Sequence, residues 1–211
     1  MARFTILLNG PIHATPRLRS QIRGGRTIAA DGGIVHAGVL GLDVELWVGD
    51  FDSTAPEVEA SYAAIPRERF PVAKDRTDGD IASNAAIERG ASALLFVGGL
   101  GGQSDHAFAH LTLALRLTAA GTSTMVTTGA EEAYPLLPGV RHLDLPEGSR
   151  LSILALSDLS GLTLSGTRWP LHNADVKLGE TVTLSNVVTG PATVNLSAGY
   201  GIIIACPALR R

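Results

Sequence analysis

The feature that most constrains this chain is a change of period part-way along it. Up to about Gly129, short β-rich apolar runs alternate with longer helical patterns. That alternation calls for parallel strands joined by crossover helices, because parallel neighbours cannot be linked by a tight turn. Phe4 to Leu8, Thr27 to Ala30, Glu45 to Val48, Ala93 to Val97 and Thr124 to Thr127 predict strands, while Ile81 to Arg89 and Ala107 to Ala119 predict helices. Beyond Pro135 the helical period stops. Leu151 to Leu156, Gly161 to Ser165, Thr181 to Leu184, Ala192 to Leu196 and Gly201 to Ala205 are short, β-rich and separated by turn residues, as in an all-β module. The expected architecture is α/β: an N-terminal open, mostly parallel sheet with helices on both faces over 1–134, then a C-terminal all-β, sandwich-like domain over 135–211. The stretch Pro135 to Gly148, with three prolines and two glycines, is the expected boundary.

Charge narrows the class of partner. A formal charge of −3, with 18% charged against 45% hydrophobic residues, provides no basic face for nucleic-acid phosphates and no polybasic membrane patch. A small-molecule substrate is favoured. The single cysteine, Cys206, cannot form an internal disulfide, so a reducing cytoplasm is expected. The apolar opening, Met1 to Gly10, is too brief for a signal segment or a bilayer span.

In open α/β sheets ligands bind beyond the carboxyl ends of the strands, so acids placed there carry functional weight. The second predicted strand runs into Ala30-Asp31-Gly32-Gly33, the third into Gly49-Asp50-Phe51-Asp52-Ser53, and a later one into Gly98 to His106. Asp50 and Asp52 are two apart, so in an extended chain both carboxylates project to one side and together suit a hard divalent cation. Lys74-Asp75-Arg76-Thr77-Asp78 adds two carboxylates and two cations just before a helix. Magnesium takes a few carboxylates plus phosphate oxygens and water, and lysine and arginine offset the remaining phosphate charge. The glycine pairs Gly32-Gly33 and Gly101-Gly102 allow close backbone approach to phosphate. These parts suit a metal-bound triphosphate, and neither a P-loop nor a dinucleotide fingerprint is present.

These four segments, in this order and spacing, resemble the thiamine pyrophosphokinase family. Gly166-Thr167-Arg168-Trp169-Pro170-Leu171 and Ser185-Asn186 look like that family's vitamin-binding segment, so the resemblance covers nearly the whole chain. It implies transfer of an intact diphosphate from ATP to the hydroxyethyl group of thiamine, giving thiamine diphosphate and AMP, with magnesium, in a homodimer. Carried over, Asp50, Asp52 and Asp78 look like the metal and phosphate cluster, Asp31 and Asp75 their neighbours, and Lys74 a phosphate partner. Asp78 and Asp105 are both candidates for the base that takes the hydroxyl proton. Trp169 and Asn186 are expected thiamine contacts, an aromatic face for the thiazolium cation and an amide for the aminopyrimidine edge, with Thr183 and Ser185 in the same pocket.

The chain departs from the family at Gln103, which stands where the glycine-rich segment usually has arginine; Gln103 can donate hydrogen bonds, and Arg76 is at hand to supply the charge. His106 and His110, four apart on a helix, lack the glutamate of a zinc-protease motif and read as packed or capping residues. Two other enzyme readings share the aspartates. Asp50-Phe51-Asp52-Ser53-Thr54 fits the D-x-D-x-T pattern of aspartyl-phosphate phosphatases, with Asp50 as nucleophile. A diphosphokinase acting on another alcohol, such as a pterin, would keep the fold and change the acceptor. A sensor that binds without turnover is the non-enzymatic alternative.

Overall fold

Six strands of the N-terminal part pair in parallel, in the order β6-β5-β1-β2-β3-β4. They are β1 (Ala2–Leu7), β2 (Arg26–Ala30), β3 (Leu46–Gly49), β4 (Arg67–Arg69), β5 (Ala91–Val97) and β6 (Ser123–Thr127). The computed structural model describes residues 2–51, 54–70 and 76–208, and the chain divides into the units Met1–Gly129 and Ala130–Arg211. Helices α1 (Pro16–Ile22), α2 (Val35–Leu40) and α3 (Pro56–Ser61) alternate with the first strands, and α4 (Asp78–Glu88) and α5 (Ser104–Ala119) with the later ones.

Each face of this sheet is covered. Leu18 and Ile22 of α1 and Ala37 and Leu40 of α2 pack with Leu7, Ala29, Trp47, Leu95 and Val97 in one buried cluster. Side chains alternate along a strand, so Ile6, Ile28 and Phe96, also buried, belong to the opposite face, where α4 lies against β1, β2, β3 and β5 and α5 against β6. The strands and helices expected in this unit from the apolar pattern are present. The short edge strand β4, Arg-Glu-Arg, gave no apolar signal because a charged edge is how a sheet avoids further pairing.

The second unit is antiparallel throughout. It comprises β7 (Glu132–Leu136), β8 (Gly139–Leu143), β9 (Arg150–Ala155), β10 (Leu159–Thr167), β11 (Leu171–Val176), β12 (Asn186–Leu196) and β13 (Gly201–Cys206). The long strand β12 changes partners along its length: Asn186 and Val187 pair with β9, while Ala192 to Leu196 pair with β8 and Thr193 to Asn195 with β10. The stretch Pro135 to Gly148 has structure of its own, the end of β7 and all of β8. One expected strand is absent. Thr181 to Leu184 is a turn in which the Leu184 N–H donates to the Thr181 carbonyl at 3.1 Å. It docks through Thr183, whose carbonyl accepts from the Ile153 N–H at 3.0 Å and whose hydroxyl donates to the Ile153 carbonyl at 2.6 Å. The alternation that imitated a strand is an exposed Val182 and Leu184 on either side of a buried Thr183.

Candidate functional site

The strand order reverses at β1, whose neighbours are β2 on one side and β5 on the other, and the crevice beyond such a reversal is where open α/β sheets hold ligands. There the exits of β1 and β5 stay joined: Leu8 N–H donates to the Val97 carbonyl at 2.8 Å and Gly10 N–H to the Gly98 carbonyl at 3.0 Å. Gly98 has φ +80°, and a Cβ on it would lie 2.5 Å from the Leu8 carbonyl oxygen, so only glycine closes this floor. A cleft of about 800 Å³ opens above it.

The cleft gathers acids from three elements. Asp31 follows β2, Asp50 follows β3, and Asp78 begins α4, whose N-cap Thr77 accepts from the Asp80 N–H at 3.3 Å. Asp31 and the end of β3 are in close approach: a Cβ on Gly49 would lie 3.2 Å from an Asp31 carboxylate oxygen. Arg76 is the one arginine or lysine among the described residues lining the cleft. Gly101 and Gly102, with φ +73° and +67°, deliver the chain to Gln103 and the first turn of α5, and these three line the same cleft.

Several expectations come out differently in detail. The backbone that was expected to stay extended past Asp50 bends at Phe51, which has φ +61°. Asp52, Lys74 and Asp75 lie outside the described residues. Gly32 and Gly33 are not in the cleft wall; a Cβ on Gly33 would lie 2.2 Å from the Leu7 carbonyl oxygen, and one on Gly32 would lie 2.7 Å from the Asn9 amide, so these glycines serve close packing on β1. Asp105 does not line the cleft either: its carboxylate accepts from the His106 N–H at 2.8 Å at the start of α5.

Other residues enter the site without having been expected there. Asn9 lines the cleft at the exit of β1, a position with no signal of its own in the sequence. His36 donates from Nε2 to the Gly10 carbonyl at 2.9 Å and so braces the β1 exit, and burial holds its pKa below the ordinary imidazole value. His110, also in the wall, donates from Nδ1 to the Gly99 carbonyl at 3.2 Å; burial lowers its pKa as well, and the nearby His106 adds to the effect. Among the described residues no three His, Cys, Asp or Glu side chains are grouped to hold a metal ion by themselves. Separate carboxylates on an open cleft suit an ion that takes one or two of them and completes its shell with phosphate and water, as magnesium does.

In the second unit Trp169 follows β10 and is 56% exposed, with the Arg168 guanidinium 5.5 Å from its ring centroid. Asn186, at the start of β12, is buried and its amide is engaged with the backbone around Trp169. The amide oxygen and one of the two amide N–H groups are thereby committed to fixing Trp169. Thr183 is likewise buried, its hydroxyl donated to Ile153, whereas Ser185 is exposed at φ +58° with its N–H donated to the Ser152 hydroxyl at 3.0 Å.

Comparison with known proteins addresses both units. The family model described as "Thiamin pyrophosphokinase, catalytic domain" matches residues 24–126, and "Thiamin pyrophosphokinase, vitamin B1 binding domain" matches residues 141–203. The chain is similar to the thiamine pyrophosphokinase of Bacillus subtilis, 27% identical over 176 residues that span 81% of each chain. A crystal structure of the Bacillus subtilis protein superposes with a TM-score of 0.86 at 25% identity, over 98% of this chain and 100% of that one. Thiamin pyrophosphokinase from Candida albicans, at 16% identity, shares the fold with a TM-score of 0.81 over 98% of this chain and 90% of its own.

Proposed function

The chain belongs to the thiamin pyrophosphokinase family and forms thiamine diphosphate from thiamine at the expense of ATP, and we propose that the acidic cleft of its first unit is where the diphosphate is transferred. The observation that carries this assignment is the meeting of Asp31, Asp50 and Asp78 with Arg76 at the strand-order reversal.

In the proposed reaction the hydroxyethyl oxygen of thiamine attacks the β-phosphorus of ATP in line. The bond from that phosphorus to the oxygen bridging the α-phosphate breaks, AMP leaves with the electron pair, and the hydroxyl proton is lost. Little covalent chemistry falls to the protein, so positioning and charge stabilisation dominate. Asp50 and Asp78 would hold magnesium together with Asp52, and Asp31 would stand beside them. Magnesium, when bound, supplies charge neutralisation on the triphosphate. Arg76, with Lys74 and Asp75 of the same segment, would engage the phosphates; the N–H groups after Gly101 and Gly102 and the Gln103 amide would donate to phosphate oxygens. Of the two candidates for the base, Asp78 lines the cleft and Asp105 does not; Asp78 would take the hydroxyl proton only when it is not one of the magnesium ligands.

In the second unit the exposed face of Trp169 suits the thiazolium cation, worth about 0.5–2 kcal/mol. Leu154, Leu178, Val182, Leu184 and Tyr200 are also exposed there. Exposed apolar side chains such as these would suit a homodimer in which a second copy covers them. The single cysteine and an ATP-consuming reaction favour the cytoplasm, and among the described residues no helix is long and apolar enough to cross a membrane.

The phosphatase alternative calls for the D-x-D motif after the first strand, whereas Asp50 follows β3. The pterin alternative is disfavoured by the vitamin B1 binding-domain match. ATP labelled at the β-phosphorus tests the reaction: the label should pass into thiamine diphosphate, and label held covalently on the protein would contradict direct transfer.

A further inference from the structure

We propose that Trp47 is a positioning residue whose indole sets the placement of Asp31 and Asp50 before nucleotide arrives; the inference rests on the magnesium–triphosphate reading of the cleft. Trp47 is fully buried in β3, between Leu46 and Val48. Aliphatic side chains ordinarily fill such a position in a parallel sheet covered on both faces. An indole there adds one thing an aliphatic residue lacks, a polar N–H, and this one is aimed at the site.

Trp47 reaches both acidic strand ends. Its Nε1–H donates to the backbone carbonyl of Asp31 at 2.8 Å. Asp31 has φ +42°, in the left-handed region that residues with a Cβ enter only against steric resistance. The ring also meets Phe51 edge to face, with centroids 4.8 Å apart and planes at 88°. Phe51, buried and at φ +61°, sits between Asp50 and Asp52 in sequence. Two unfavourable backbone conformations, each carrying or adjoining a site carboxylate, are therefore tied to one rigid side chain. Such strain persists only where the surroundings over-determine it.

The indole is itself immobilised. The Arg67 guanidinium lies 4.7 Å from its ring centroid and is ion-paired with Glu59 at 2.8 Å, while Tyr62 meets it at 6.2 Å. The Arg69 guanidinium, 5.1 Å from the Phe51 ring centroid, supports the other partner. With Gly49 allowing Asp31 to lie against the end of β3, the two acidic turns are held as one piece, and a metal-bound triphosphate would meet carboxylates already in place.

Trp47→Phe keeps a ring in the core and removes the N–H. Calorimetric titration with magnesium and the α,β-methylene analogue of ATP, which lacks the scissile bond, reads the effect without turnover. The expected result is binding weakened about 5- to 20-fold, a matching rise in the magnesium concentration for half-maximal turnover, and an unchanged KM for thiamine. Binding and magnesium dependence equal to wild type would overturn the proposal. Should Trp47→Phe not fold, Phe51→Leu, which keeps the indole hydrogen bond and removes the ring contact, should also weaken analogue binding, and wild-type affinity in that variant would overturn the proposal. Wild-type protein that fails to bind the analogue would remove the nucleotide reading itself, whereas wild-type binding with unaffected variants removes only the role of Trp47.

Discussion

The Asn186 side chain holds the backbone of Trp169 at both of its polar groups: Nδ2 donates to the Trp169 carbonyl at 2.6 Å, and Oδ1 accepts from the Trp169 N–H at 3.1 Å and from the Val187 N–H at 2.9 Å. A buried amide in this arrangement has its oxygen and one of its two N–H groups committed to the backbone, so it acts on whatever Trp169 binds chiefly through the ring it fixes. Asn186→Ala strands these backbone groups and should cost about 1–3 kcal/mol of stability. It should also raise KM for thiamine while leaving nucleotide binding unchanged. Thermal denaturation and initial-rate kinetics read the two effects separately.

Trp169→Ala should leave the fold intact, because more than half of the residue is already in solvent. Loss of a cation–π contact of about 0.5–2 kcal/mol predicts KM for thiamine raised roughly 2- to 30-fold. Trp169→Phe should recover most of the loss, and an alanine variant with wild-type KM would remove Trp169 from the thiamine site.

Asp50→Asn tests the acidic cleft. Removing one carboxylate from a site that already gathers Asp31 and Asp78 should lower kcat by at least about 100-fold without reducing thermal stability. Activity within a few-fold of wild type would take Asp50 out of the reacting centre.

Gly98→Ala tests the cleft floor. The φ of +80° and the 2.5 Å approach to the Leu8 carbonyl oxygen predict a loss of more than about 2 kcal/mol, a fall in Tm of more than roughly 5 °C.

The pH dependence of stability has a definite sign. Burial holds His36 and His110 below the ordinary value of 6.5, so the unfolded chain binds their protons more readily than the folded one. Their contribution to stability is fully present above about pH 6.5 and is lost as pH falls through their lower folded-state values. Tm should therefore drop between pH 7 and pH 5, and the drop should be smaller in a His36→Gln, His110→Asn double variant. Equal slopes in the two proteins would contradict this.

Much of this architecture was legible in the sequence, because parallel strands buried on both faces leave nearly continuous apolar runs, and the acids after β2 and β3 stand out against them. What escaped was set by tertiary contact. The Arg-Glu-Arg of β4 has no apolar pattern, and Thr181 to Leu184 alternates like a strand yet docks through a buried threonine. The bend at Phe51 follows from its ring being drawn under Trp47, which no spacing rule encodes. Asn9 carries no signal of its own in the sequence, and it joins the cleft because the strand order places β1 beside β5. The engagement of the Asn186 amide escaped because its partner, the backbone of Trp169, is 17 residues away.

The measurement that bears most directly on the central claim is product analysis after incubation of the purified chain with ATP, magnesium and thiamine. Thiamine diphosphate and AMP should appear in equal amounts, and AMP should not form when thiamine is omitted. ADP or inorganic phosphate released without thiamine diphosphate would contradict diphosphate transfer in the aspartate cleft.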